Sequence, residues 1–227
     1  MTLGVELDKM RKTEFSNEEY YHLVNRGVGK KNIFTNQSDY TRFLFLILNY
    51  QSPITINNPS RIIKNFNPSS GFKVSNKTED EVVNSRYIEL VAFCLMPNHF
   101  HILVKQTEDK GVSRYMQRIQ NAYTKYFNTK YQTNGHLFQG PFRANRVEDN
   151  DQLLYLSAYI HKNPTELPGW RKREVDYQWS SLGDYVKKNR WPKLLKPEII
   201  LEQFNNKQEY QEWIKDNSAK ETPTKLD

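Results

Sequence analysis

Two histidines, His99 and His101, stand on either side of Phe100 in an apolar run that predicts a β-strand over 98–104. Side chains two apart on a strand point to the same side of a sheet. Both imidazoles can therefore reach one divalent metal ion, whereas Phe100 points into the opposite, packed face. A pair at this spacing is also typical of a polar strand face, so spacing alone leaves both interpretations open.

A second candidate for chemistry lies at the end of a helix predicted over 149–162, which Pro164 ends. Tyr159 offers a phenol nucleophile, and Asn163 shares its helix face if the helix continues that far. A residue before proline is pushed away from helical geometry, and an ordinary helix C-terminus is the alternative interpretation. Other tyrosines that could act as nucleophiles are Tyr123, Tyr126 and Tyr155.

Between Lys110 and Val147 the chain has basic residues but no Asp or Glu, whereas acidic and basic residues balance elsewhere. Aromatic residues are interleaved with these charges. Concentrated positive charge favours a polyanion partner such as nucleic acid, although a solvated basic face would look the same. The candidate DNA-binding residues chosen from this segment are Arg114, Arg118, Lys125, His136, Arg143 and Arg146.

The bulk composition limits the possible classes of protein. The chain has 227 residues, is 37% hydrophobic and 26% charged, and carries a net charge of +7, which is typical of a globular protein rather than a disordered one. No run of apolar residues is long enough to span a membrane, and the N-terminus does not resemble a signal peptide. The single cysteine, Cys94, excludes an internal disulfide and a cysteine-based zinc site. We expect a cytoplasmic protein with no membrane segment.

Strands are predicted over 19–25, 86–95, 98–104 and 136–147, and helices over 38–50, 112–128, 149–162, 180–188 and 197–215. Their alternation around a central hairpin predicts an α+β fold, an α/β sandwich with helices packed on an antiparallel sheet. Residues 51–84 are rich in Asn, Ser and Pro and predict an insertion or flexible loop. The expected organisation is one domain over 1–190 and a helical C-terminal extension over 191–227.

Several segments, taken together with the basic region, resemble a known family. They occur in the order Tyr21–Gly27 (YHLVNRG), Met96–Val104 (MPNHFHILV), Gly135–Gly140 (GHLFQG), Tyr159–Pro164 (YIHKNP) and Trp179–Ser181 (WSS). This order and these separations resemble the REP-associated tyrosine transposases, part of the single-tyrosine HUH transposases. The resemblance covers roughly residues 18–188.

The resemblance implies a ferredoxin-like fold, with His99 and His101 as metal ligands on a central strand. It implies Tyr159 as the nucleophile and Asn163 as a third ligand, holding Mg²⁺ or Mn²⁺. Zinc is not excluded by these ligand types. The implied activity is cleavage and rejoining of single-stranded DNA that contains a hairpin, through a 5′-phosphotyrosine.

Two other functions compete with this one. A non-catalytic nucleic-acid-binding protein of the same fold would bind hairpin DNA without cutting it. A histidine-triad-like nucleotide hydrolase would require another histidine at position 103, where Leu103 stands. The sequence leaves open whether the protein is a monomer or a homodimer.

Overall fold

A four-stranded antiparallel sheet forms the centre of the protein. The structure is a computed structural model that describes residues 14–217. The strands are β1 (Tyr20–Arg26), β2 (Ile88–Met96), β3 (His99–Gln106) and β4 (Arg143–Arg146). Their order across the sheet is β2-β3-β1-β4, the ferredoxin-like arrangement. The predicted fold class is therefore confirmed. No helix within residues 14–217 is long and apolar enough to cross a membrane.

The alternation of side chains along β3 gives the sheet two different faces. Phe100 packs at a ring-centroid distance of 4.9 Å from Phe43 of helix α1 (Gln37–Asn49). Helix α4 (Gly111–Tyr131) lies beside α1 on this face. On the opposite face, His101 lies against Tyr159 of helix α5 (Asn150–Lys162). One face is thus a packed core, and the other carries the chemistry-bearing side chains.

A buried carboxylate ties the start of α1 to the end of α4. Asp39 is fully buried and pairs with Lys130 at 2.6 Å, and Tyr131 and Thr35 also donate hydrogen bonds to it. Burial alone would raise the pKa of Asp39, but these hydrogen bonds outweigh it and lower the pKa. Lys130 thus has a structural partner, although it lies in the basic segment.

Residues 51–84 contain ordered structure where the sequence predicts an insertion or flexible loop. They include the helices α2 (Pro59–Lys64) and α3 (Asn76–Asn84). Phe72 is buried and packs on Trp191, and Gly71 has φ +80° against the same indole ring. A Cβ at Gly71 would lie 2.2 Å from that ring, so only glycine fits there. The polar insertion therefore packs on the sequence that follows α5.

The segment after α5 forms the short helices α6 (Leu182–Val186), α7 (Glu198–Leu201) and α8 (Lys207–Asp216). The single helix predicted over 197–215 is therefore two helices. Tyr210 of α8 is fully buried and contacts His161 of α5. The end of the expected C-terminal extension, 218–227, lies outside the described residues.

Candidate active site and nucleic-acid interface

The two histidines of β3 lie together on the α5 side of the sheet, with ring centroids 5.0 Å apart. His101 is fully buried, whereas His99 is half-buried and lines a pocket. The side chain of Asn98 contacts His99 Nδ1 at 2.6 Å. The strand prediction of a shared face is therefore confirmed, and the two imidazoles differ in their access to solvent.

A third histidine, His22 of β1, is buried beside His101. Its Nε2 lies 3.0 Å from His101 Nδ1, and the two rings stack at 5.1 Å with an interplanar angle of 12°. The antiparallel register pairs Val24 with His101, which makes His22 a diagonal neighbour. His22 has no predicted role from the sequence, because only the pairing of β1 with β3 reveals this contact.

His101 is held in its neutral form. Burial lowers its pKa well below the ordinary value, and His22 and His99 lower it further. The side chain of Asn163 acts in the opposite direction but does not reverse the shift. Nε2 of His101 is buried and makes no hydrogen bond of ordinary geometry among the described residues, although the Asn163 side chain lies close enough to act on the ring. A neutral imidazole with such a nitrogen can act as a metal ligand.

Helix α5 brings the predicted nucleophile over these histidines. The Asp149 side chain accepts a hydrogen bond from the backbone N–H of Gln152 and so caps the helix N-terminus. The Tyr159 ring is edge-on to His101 at 5.3 Å. Asn163 keeps helical backbone angles (φ −48°, ψ −41°) despite Pro164, and its Nδ2 donates to the Tyr159 carbonyl at 2.9 Å. Both side chains therefore lie on one side of α5.

Hydrogen bonds to neighbouring elements fix the position of α5. His161 is fully buried, and its Nε2 lies 2.8 Å from Ser181 Oγ. The same Ser181 hydroxyl accepts a hydrogen bond from the Phe93 N–H of β2 at 2.9 Å. Burial lowers the pKa of His161 to about 3, so this side chain is neutral too. The Trp179–Ser181 segment thus links α5 to the sheet.

Tyr159 and Asn163 open onto a pocket of about 480 Å³ that combines positive charge with polar groups. Its basic side chains are Arg26, Lys30 and Arg143, and Glu166 adds one carboxylate. Of the basic residues, only Arg143 was predicted from the sequence. Arg26 ends β1 and Lys30 follows that strand. Both lie outside the basic segment, and their local sequence gave no signal.

The other candidate tyrosines lie elsewhere. Tyr123 is fully buried, and its hydroxyl donates to the Ile33 carbonyl at 2.6 Å. Tyr126 donates to Asp39. Tyr155 is 40% exposed and packs on Trp213, and it does not line the pocket.

The six candidate DNA-binding residues have different surroundings. Lys125 and His136 are exposed and line a groove next to the pocket. Arg146 is partly exposed and pairs with Glu19, and Arg114 pairs with Glu108. Arg118 instead points inward.

The guanidinium of Arg118 is a structural group. It donates hydrogen bonds to the Ser52 and Ile54 carbonyls and stacks on the Tyr50 ring at 4.5 Å. These contacts hold the start of the 51–84 segment. The Arg118 guanidinium is therefore occupied by contacts within the protein and is not available to DNA.

The residues present fit a divalent metal ion. Within residues 14–217, no group of three or more His, Cys, Asp and Glu side chains is arranged to hold one. The expected donor set is of another kind, with two imidazoles and an amide oxygen. His101 has a buried Nε2 that makes no hydrogen bond of ordinary geometry among the described residues, and His99 and Asn163 line the adjoining pocket.

Comparisons with known proteins show the fold and the family of the chain. A solved structure of a REP-associated tyrosine transposase bound to a REP hairpin is similar, with a TM-score of 0.50 and 15% sequence identity. The match covers 85% of this chain and 93% of that chain, and it shows the same fold. No curated protein matches the chain. The family model "Transposase IS200 like" matches residues 16–163, well over half of the sequence, and the chain therefore belongs to the IS200-like transposase family.

Proposed function

We propose that this transposase is a metal-dependent endonuclease and strand-transferase for single-stranded DNA, with Tyr159 as its nucleophile. One observation carries the proposal: Tyr159 shares a pocket with His99, Asn163 and three basic side chains. A phenol, candidate metal ligands and positive charge are the groups that attack on a phosphodiester requires.

The scissile phosphate is bound by charge. Arg26, Lys30 and Arg143 line the pocket, so a phosphodiester that enters meets three cationic groups. His99, His101 and Asn163 would hold Mg²⁺ or Mn²⁺, and Glu166 offers a further oxygen donor. When bound, the ion would offset charge on the phosphate and polarise a P–O bond.

The Tyr159 side chain performs the attack. A free phenol has a pKa of about 10, so little of it is ionised at neutral pH, and positive charge beside the attacking oxygen would stabilise the phenolate as it forms. The phenolate oxygen bonds to phosphorus while the bond from phosphorus to the 3′-oxygen breaks, and that oxygen takes up a proton. The products are a 5′-phosphotyrosine and a free 3′-hydroxyl. The reverse attack by another 3′-hydroxyl joins two strands without ATP.

Access to His101 is part of this mechanism. His101 is fully buried, and the Tyr159 ring packs edge-on against it. His101 would reach an ion held by His99 and Asn163 only if the side chains of Tyr159 and Asn163 turned towards the pocket. The Nδ2 of Asn163 donates to the Tyr159 carbonyl, so the amide oxygen would be the atom that binds the ion.

The proposed partner is single-stranded DNA that contains a hairpin. The similar solved structure is of a transposase bound to a REP hairpin, and the pocket here carries the positive charge such a ligand needs. The side chains proposed to bind the DNA outside the pocket are Arg114, Lys125, His136 and Arg146. Tyr159 and the histidines come from one chain, so a single copy contains the whole proposed site.

The experiment is a cleavage assay on labelled single-stranded hairpin DNAs from the gene's own flanks, with Mg²⁺ or Mn²⁺. Tyr159→Phe is the test variant, and Tyr155→Phe is a matched control one helical turn away. We expect metal-dependent cleavage and covalently trapped label with the wild type and the control, and neither with Tyr159→Phe. Cleavage by Tyr159→Phe would contradict the assignment. Tight hairpin binding without cleavage in Mn²⁺ would favour the non-catalytic alternative.

A further inference from the structure

A second cavity of about 610 Å³, which we call the amide groove, lies between α4 and the loop over 136–141. It shares Pro141 with the catalytic pocket. Polar side chains on one face of α4, at spacings of one, three and four residues, form its floor. These side chains are Gln120, Asn121, Thr124, Lys125 and Asn128.

The wall between the amide groove and the catalytic pocket is fixed to β1. The Val28 N–H donates to the Leu137 carbonyl at 3.0 Å, and the Gln139 N–H donates to the Arg26 carbonyl at 2.8 Å. The Asn25 side chain also donates to the Gly140 carbonyl at 3.2 Å. A ligand in the groove is therefore held in a fixed relation to Tyr159.

The groove presents hydrogen-bonding groups that the protein leaves unused. Nε2 of Gln120 is buried and has no hydrogen-bond partner among residues 14–217. Buried amide donors are normally paired, and because Gln120 lines the groove, a ligand there could supply the missing acceptor after a small turn of the side chain. Asn121 is exposed in the same groove. By contrast, Asn128 is already engaged with Gly135 and Thr133.

The chemistry of these groups matches nucleotide bases. A carboxamide both donates and accepts hydrogen bonds, so it can pair with the edge of a base. Base edges are available in this way when a strand is unpaired. Lys125 adds a positive charge for a phosphate, and the groove has no acidic lining residue.

We propose that the amide groove holds unpaired nucleotides of the DNA strand next to the cleavage position, and that Gln120, Asn121 and Thr124 read their base edges. This inference rests on the proposed function, because it takes DNA as the substrate. These three residues would recognise the DNA sequence, whereas the basic residues of the pocket would bind phosphate. The side chains of Gln120 and Asn121 are then specificity-determining.

The test measures base preference without cleavage. Hairpin oligonucleotides with a short randomised single-stranded tail are bound in the absence of divalent metal, and the bound fraction is sequenced. We expect wild-type protein to enrich particular bases at one or more tail positions. The double substitution Gln120→Leu with Asn121→Leu lowers this enrichment about tenfold, the scale of one lost bidentate base contact. Asn121→Leu alone alters an exposed residue and keeps the test valid if the double variant does not fold.

Gln117→Leu is the matched control, because Gln117 is exposed on the same helix but does not line the groove. It keeps the wild-type preference. The proposal is overturned if the Gln120 and Asn121 variants keep that preference, or if the wild type enriches no base at any position of the tail. Because binding is measured without metal, the base preference can be interpreted even if the protein does not cleave DNA. Cleavage that depends on Tyr159 but not on the tail sequence would refute base recognition by the amide groove and leave the proposed catalytic function intact.

Discussion

Substitution of Tyr210 by phenylalanine tests whether α8 stabilises α5, the helix that carries the proposed nucleophile. The Tyr210 hydroxyl lies 2.8 Å from His161 Nδ1 and donates to Ser157 Oγ at 3.1 Å. All three side chains are fully buried. Removal of one oxygen therefore breaks both hydrogen bonds and leaves a buried imidazole nitrogen unpaired, without change to the aromatic ring.

The expected loss of stability follows from the two hydrogen bonds that Tyr210→Phe removes. A buried polar group left without its partner costs about 1–3 kcal/mol, and the Ser157 hydroxyl keeps its hydrogen bond to the Leu154 carbonyl. We expect the free energy of unfolding to fall by about 2 kcal/mol, which in a protein of this size lowers the melting temperature by roughly 4–8 °C. Hydrophobic packing of the ring is retained.

Urea unfolding and thermal melting measure the loss, with Tyr155→Phe as the control. Tyr155 lies on α5, but its ring is 40% exposed. The control is expected to change stability by less than about 0.5 kcal/mol, as surface substitutions usually do. Equal losses in the two variants, or none in Tyr210→Phe, would refute the reasoning that α8 stabilises α5.

Three further predictions concern charge, metal and pH. Arg143→Ala is expected to reduce the slope of log DNA affinity against log salt concentration by about one unit. Arg118→Ala, by contrast, is expected to lower thermal stability and leave that slope unchanged. An unchanged slope in Arg143→Ala would count against the pocket as a phosphate site. His22→Leu is expected to weaken Mn²⁺ binding about 10–100-fold by calorimetric titration, because His101 loses the partner of its second nitrogen; unaltered affinity would contradict this. Burial lowers the pKa of His161 to about 3, so below the unfolded value of about 6.5 only the unfolded chain takes up this proton. This histidine alone therefore lowers the free energy of unfolding by up to about 1.4 kcal/mol per pH unit, and His101, whose pKa is also lowered, adds to the slope. Urea unfolding from neutral to mildly acidic pH measures this slope, and a flat profile would contradict it.

Periodicity predicted the elements that carry the site. The strand expected over 98–104 is His99–Gln106, and the helix expected over 149–162 is Asn150–Lys162. The strand follows from side-chain alternation, and the helix follows from capping and proline signals. Both kinds of signal are local in sequence. The shared face of His99 and His101 followed from the strand alone.

Features that depend on contacts between distant segments could not be predicted. The 51–84 segment has few apolar residues, and its order comes from contacts such as that between Phe72 and Trp191. The pairing of His22 with His101 needs the register of β1 on β3. Arg118 has the same local signal as Lys125, yet one binds backbone carbonyls and the other lines a groove. Charge in a sequence does not show which side chains already have partners.

Mapping the covalent linkage tests the central claim most directly. Protein is incubated with hairpin DNA and Mn²⁺, the DNA is trimmed with a nuclease, and the protein is digested with trypsin. Cleavage after Arg146 and Lys162 gives a peptide that contains both Tyr155 and Tyr159. Fragmentation of this peptide by mass spectrometry is predicted to place the nucleotide phosphate on Tyr159. A phosphate on Tyr155, or cleaved DNA with no modified tyrosine, would contradict the account.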